Sequence, residues 1–272
     1  MPTPCTTASS SSNPASSSPS ASTAQNTSST PPATTSSPPR PASPPSSPSP
    51  KETFPQQSWF RLDRSHILVD GYPALLSWTG TMFEYLMPSL WMRTFPNTLM
   101  SRALDSAALI QRHYVRNIPW GISESGFAKK DPHGRYSYQA WGIPALALKY
   151  GAEDGPVISP YSTFLTLAAL RKEAIANLRR MASMNWLGNY GFYEAADYTT
   201  AQPPELVRSW MAHHQGMCLL ALTNLLKNNV VQQWFHATPR IRAAELLLHE
   251  KPLSKETLKA LGNQTKSTKS PA

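Results

Sequence analysis

The sequence predicts an all-α domain behind a long head without structure, on three observations. Apolar residues recur at the three-to-four spacing of a helix face through most of residues 56–250. Strict alternation of the strand kind is nearly absent. Pro, Gly or Asn stands where the periodic stretches stop. The first 50 or so residues are almost only Ser, Pro, Thr and Ala, with Arg40 as the one charge, too little apolar surface to offset the entropy of ordering. The expected organisation is a disordered segment over 1–52, a helical domain over 53–250 and a basic disordered tail over 251–272. That tail carries Lys251, Lys255, Lys259, Lys266 and Lys269 against Glu256.

Gln57-Ser58-Trp59-Phe60-Arg61-Leu62 opens the folded part, and Asp70-Gly71-Tyr72-Pro73 signals a turn. From Ala74 the pattern reads as helix, with Leu75, Leu76, Trp78, Met82, Phe83, Leu86 and Met87 running toward Trp91 and Met92, broken by Gly80 and Pro88. Asn97 is placed to cap the next helix, whose face is Leu99, Ala103, Leu104, Ala107, Ala108, Ile110 and Tyr114 and which ends near Asn117, before Pro119. Residues 119–142 read as a loop region with a turn at Asp131-Pro132-His133-Gly134, followed by a short helix over 144–150. Pro160 precedes an apolar helix through Leu170, and another runs over 172–184. A second loop covers about 185–204; a long helix then runs over 205–227 and a last one over 238–250, with Pro239 in its first turn.

Composition narrows the function. Net charge is +9, but the lysines of the tail and Arg40 supply much of it and the rest is scattered, so nucleic acid is not an expected partner. Two cysteines, Cys5 and Cys218, make neither a disulfide framework nor a metal site. The N-terminus lacks the pattern of a signal peptide, and no apolar run approaches the ~20 residues of a membrane span. Neither a metal nor a cofactor is expected.

The chemistry concentrates in the two long loops, which are uncommon in compact domains beyond about 12 residues and usually functional. The first contains Pro119-Trp120-Gly121-Ile122-Ser123-Glu124-Ser125-Gly126, one acid flanked by two hydroxyls and by glycines that permit tight turns. The second contains Gly191-Phe192-Tyr193-Glu194. Cleaving a glycosidic bond takes a proton for the leaving oxygen and a carboxylate for the opposite face of the ring. Glu194, among Phe192, Tyr193 and Ala195, suits the acid; Glu124, between two serines, suits the base or nucleophile. The alternative is that each is a loop carboxylate with structural partners. Glu84 is a possible third acid, with an ion pair to an arginine as the competing role. Asp197 and Asp131 are placed equally well to bind sugar hydroxyls or to cap loops. Trp78, Trp120, Tyr136, Tyr138, Trp141 and Tyr193 are candidates for stacking on sugar, with two or three of the six expected at the cleft and the others in the core. His213 and His214, adjacent on a helix, make a poor metal pair; with Gln215 they are candidate ligand contacts.

LLSWTGTMFEYLMP, PWGISESGF, YSYQAWGIPALALK, ISPYSTFLTL, YGFYEAADYT and MAHHQGM, in this order, resemble the glycoamylase-like conserved domain of cyclic β-1,2-glucan synthases over about Gln56 to Glu250. The resemblance implies an (α/α)6-type toroid, β-1,2-glucan as ligand, and hydrolysis or transglycosylation, as in the related endo-β-1,2-glucanases. It implies that Glu124 and Glu194 are the matching acids. It also implies glycosyltransferase and phosphorylase modules elsewhere in the same polypeptide, and a cytoplasmic or inner-membrane-associated location. Twelve helices need roughly 300 residues. The roughly seven or eight legible here therefore lead us to expect a partial toroid, truncated on its N-terminal side. An inactive fragment, or a carbohydrate-binding helical module without turnover, is the alternative.

Overall fold

In the computed structural model of the chain, residues 57–149, 155–254 and 256–260 are described. The expected disordered head with Cys5 and Arg40, and Lys255, Lys266 and Lys269 of the expected tail, lie outside them; the described part of that tail is instead ordered, helical over 256–260 and capped by Ser254, whose Oγ takes the Thr257 N–H at 3.2 Å.

Helices, 3-10 turns included, take up just under half of the described residues, and the all-α expectation is corrected by nine short strands among them. The first correction falls at residues 66–75. Asp70 (φ 51°) and Gly71 (φ 82°) both adopt the left-handed region, which is what a two-residue hairpin turn of primed type requires. They join β1 (His66–Val69) to β2 (Tyr72–Leu75) in antiparallel register, Val69 opposite Tyr72. The apolar residues that read as the start of a helix thus form a strand, since a short apolar run fits either period.

The helix proper, α2 (Met82–Leu86), starts later, where the Thr81 side chain caps Glu84 N, and runs into a 3-10 turn, Met87–Leu90. The long α3 (Leu99–Tyr114) begins at Thr98, not Asn97: Thr98 and Ser101 exchange hydrogen bonds in a capping box. It buries Leu99, Ala103, Leu104, Ala107, Ala108 and Ile110, packs on β2 and α2, and closes with Arg112 and His113 near the negative end of its dipole. Fully burying one such leucine or isoleucine contributes about 1.5–3 kcal/mol.

The first expected loop contains a hairpin, β3 (Ser125–Lys130) with β4 (Tyr136–Gln139), turned at Asp131. Asp131 accepts from the backbone N–H of His133 and of Arg135, both at 2.9 Å, so it caps this turn. The hydrogen bond from the Arg135 backbone, chief among these contacts, holds its carboxyl below the usual range. The second loop carries β6 (Leu187–Gly188), β7 (Gly191–Phe192) and β8 (Ala195–Asp197). β8 is the middle of a three-stranded antiparallel sheet between β5 (Val157–Ile158) and β9 (Glu205–Val207), and β3 packs beside it. Glu205–Val207 was expected to open a helix; pairing with β8 claims it for the sheet, and α6 (Ala212–Leu226) starts five residues beyond.

The remaining helices are α1 (Gln57–Phe60), α4 (Pro160–Leu165), α5 (Arg171–Ser183), α7 (Val230–His236) and α8 (Pro239–Ala244). α4 packs against α6, α5 and α2, and places Tyr161, Leu165, Ile158, Ile122 and Met82 in one core. Glu250 closes the end of the helical stretch, its carboxylate taking Trp59 Nε1 (3.1 Å) and Arg64 Nε (2.6 Å) and its carbonyl the Leu99 N–H (2.7 Å). One backbone crossing depends on glycine. Segments 77–80 and 143–149 exchange backbone hydrogen bonds, and a Cβ on Gly142 would lie 2.2 Å from the Gly80 carbonyl carbon.

Candidate active site

Glu124 sits at the end of a backbone stretch fastened on several sides. Gln111, fully buried on α3, takes the Ile122 N–H (2.8 Å) and donates to the Ile122 carbonyl (2.6 Å). Asn177 on α5 does the same for Trp120, at 3.2 and 2.7 Å. Ser123 Oγ accepts from the Phe83 N–H (3.0 Å). The Tyr161 hydroxyl lies 2.8 Å from Ser123 Oγ and 2.9 Å from the Glu124 carbonyl oxygen. With the backbone held this way, the Glu124 side chain stands half-buried between fully buried neighbours, Ser123 and Ser125. Burial first, and then the charge of Glu84, raise its carboxyl above the ordinary value of 4.5, while His214 pulls the other way.

Glu194 has a different place from the one expected. Its carboxylate is only 2% exposed and rests on the His214 ring, with Nδ1 at 2.9 and 3.0 Å from its two oxygens. Oε1 also accepts from the Gly126 N–H (3.2 Å). Gly126 allows that approach, since a Cβ there would lie 3.3 Å from Glu194 Cγ and 3.0 Å from Val207 Cγ1. The expected surroundings of the two acids are therefore exchanged. Neighbours in sequence suggested an apolar site for Glu194 and a polar one for Glu124, but Glu194, just ahead of β8, is turned inward onto a histidine of α6.

His214 is the hub. It is fully buried, stacks flat on Tyr161 (centroids 3.7 Å apart, planes at 11°), and presents Nε2 to the Tyr138 hydroxyl at 3.5 Å. Tyr138 reaches out of the fold with 43% of its surface exposed. Burial, and then the charges of Glu124 and Glu194, push its phenol well up. A cavity of about 230 Å³ adjoins this hub, lined in part by Tyr161, Phe192, Tyr193, Glu194, His214 and Gln215.

The other candidates divide. Among the described residues Glu84 pairs with no arginine; its carboxylate accepts from Thr79 N, Thr79 Oγ1 and Gly80 N at 2.7–3.1 Å, holding the turn before α2. Asp197, 1% exposed, ties β3 to β8 by taking the Ala128 N–H (2.8 Å) and closes its own turn on Thr199, so it caps a loop. Trp120 and Trp141 are core residues, 7% and 6% exposed; Trp120 packs with Leu167 and Ala174. Trp78, 62% exposed, and Tyr138 are the open rings. Tyr136 is half-buried under Lys130 Nζ (4.7 Å), and Tyr193 half-buried against Trp210 (centroids 5.2 Å). His213 is exposed beside His214, and partial burial and that neighbour lower its pKa. Gln215 is half-buried, 3.4 Å from the Phe192 carbonyl.

Sequence reasoning missed Tyr161 and the roles of Gln111 and Asn177. Tyr161 sits in an apolar stretch that reads as core, and the two amides carried no signal beyond being polar on buried helix faces. Among the described residues no group of three or more His, Cys, Asp or Glu could hold a metal ion, and no helix is long and apolar enough to cross a membrane.

Residues 41–239 match the family model Glycoamylase, described as "Putative glucoamylase". Over 208 residues the chain is 39% identical to the cyclic beta-(1,2)-glucan synthase NdvB of Rhizobium meliloti (strain 1021), covering 74% of this chain and 7% of that protein. The fold matches the crystal structure of a "putative glucoamylase" from Bacteroides uniformis ATCC 8492 with a TM-score of 0.52 at 17% identity, over 68% of this chain and 46% of that one. A second, from Bacteroides fragilis NCTC 9343, matches with a TM-score of 0.51 at 19% identity, over 68% and 45%. The chain thus spans less than half of either solved relative and a small part of the synthase.

Proposed function

The chain belongs to the Glycoamylase family, and from that premise we propose that it is a glycan-active domain that handles β-1,2-glucan, with Glu124 as the acid that protonates the glycosidic oxygen. The observation that carries this reading is the setting of Glu124: a half-buried carboxyl with a raised pKa, on a backbone clamped by Gln111 and Tyr161, beside an exposed tyrosine. An acid that keeps its proton toward neutral pH can give it to a leaving sugar oxygen. The charge of Glu84 adds to burial in retaining that proton. As the glycosidic C–O bond breaks, the oxygen of water or of a glucan hydroxyl bonds to the anomeric carbon and its proton passes to solvent, from which Glu124 is reprotonated, giving hydrolysis or transglycosylation. Glu194 does not face the bond in this reading; it acts on the site through His214. The substrate follows from the synthase relative, and the place of the domain is within cyclic β-1,2-glucan synthesis. The helices are assigned to part of an (α/α)6-type toroid within residues 53–250.

Glu124→Gln tests this. The variant should lose cleavage or transfer of β-1,2-gluco-oligosaccharides by at least about a hundredfold, the usual size of a general-acid contribution, while binding survives. The burial of Glu194 favours one competitor, a binding module without turnover. An unmutated chain that binds the glucan with no turnover at any pH would establish that reading and remove Glu124 from catalysis.

A further inference from the structure

His214 has two nitrogens with two different duties, and the second reaches the surface. Nδ1 faces both oxygens of buried Glu194, so it carries the proton and donates. In the neutral ring that leaves Nε2 as an acceptor, and the group opposite it is the Tyr138 hydroxyl at 3.5 Å. The ring cannot swing to choose another partner, because Tyr161 lies flat against it and the residue is fully buried. Tyr138 is therefore the one member of the row with a large exposed surface, and its proton is directed inward.

We propose that Glu194 and His214 are positioning residues for Tyr138, and that Tyr138 is a substrate-binding residue whose oxygen accepts a ring hydroxyl of the bound glucan. A tyrosine free to rotate its O–H can donate or accept. One whose O–H is committed to Nε2 can only accept, so it selects an O–H donor at that position of the ligand and rejects a deoxy or O-methyl sugar. The proposal rests on the glucan reading above.

The test separates the wiring from the ligand. Nitrogen NMR of the ligand-free protein should show His214 protonated at Nδ1 and bare at Nε2, and Tyr138→Phe should move the Nε2 resonance while leaving Nδ1 in place. His214→Asn keeps a donor for Glu194 and loses the acceptor for Tyr138. In a Glu124→Gln background, calorimetry with a β-1,2-gluco-oligosaccharide should show Tyr138→Phe and His214→Asn each weakening binding about tenfold, and the double variant weakening it no further. An Nε2 resonance that ignores Tyr138→Phe overturns the proposal whatever the ligand does. Additive losses overturn it too, since they would mean the two side chains act independently. Failure of every variant and of the parent to bind the glucan would sink the functional reading instead, and leave the nitrogen spectrum to judge the wiring.

Discussion

Replacing Gln111 by leucine should loosen the acid-bearing segment at a cost that the hydrogen bonds allow us to work out. Gln111 is fully buried on α3 and serves both backbone groups of Ile122, at 2.8 and 2.6 Å. Leucine keeps nearly the same volume, so no large cavity adds to the loss. The Ile122 N–H would be orphaned in the core, at about 1–3 kcal/mol for an unsatisfied buried group. Its carbonyl keeps a long contact from the Met82 N–H at 3.4 Å, so its share is about 1 kcal/mol. The sum is about 2–4 kcal/mol, and for a domain of about 150–250 residues each kcal/mol moves Tm by about 2–4 °C. Calorimetry of Gln111→Leu should therefore show a fall of about 4–16 °C. Glucan turnover should fall as well, because the next residues are Ser123 and Glu124. A Tm within 2 °C of the parent would refute the claim that this amide holds the segment.

Three further outcomes are expected. Gly142→Ala should prevent folding or cost several kcal/mol in urea unfolding, because a Cβ 2.2 Å from the Gly80 carbonyl carbon has only backbone to push against. Glu124→Gln should raise Tm at pH 7 and lose that advantage near pH 4. The folded carboxyl has a raised pKa, so folding disfavours its ionised form; the penalty is absent below the unfolded value of 4.5 and grows as pH rises through the folded value. In a Cys5→Ser background, Cys218 should resist alkylation at pH 8 until the chain is denatured, because burial pushes its thiol up to about 12. Alkylation at the rate of a free thiol would contradict its packing on α6.

Long periodic stretches were read well. The spans of α3 and α5 follow from faces such as Ala103, Leu104, Ala107 and Ile110, since sustained spacing leaves little choice of structure. Short segments were read poorly. Residues 72–75 and 205–207 became strands because partners far along the chain, or a turn with two positive φ values, claimed them. The aromatic candidates show the same limit: Trp78 and Trp120 look alike in sequence, yet one is open and the other lies in the core.

What the chain carries in its own order is the two acidic loops, their glycines, and six motifs specific enough to point to a family. The surroundings of each acid were decided only on folding. Glu124 and Glu194 are 70 positions apart, and what each side chain meets depends on how β3 and β8 lie together, on where α6 begins and on the ring of Tyr161. A local window of sequence records neighbours along the chain; the pKa of a carboxyl answers to neighbours in space.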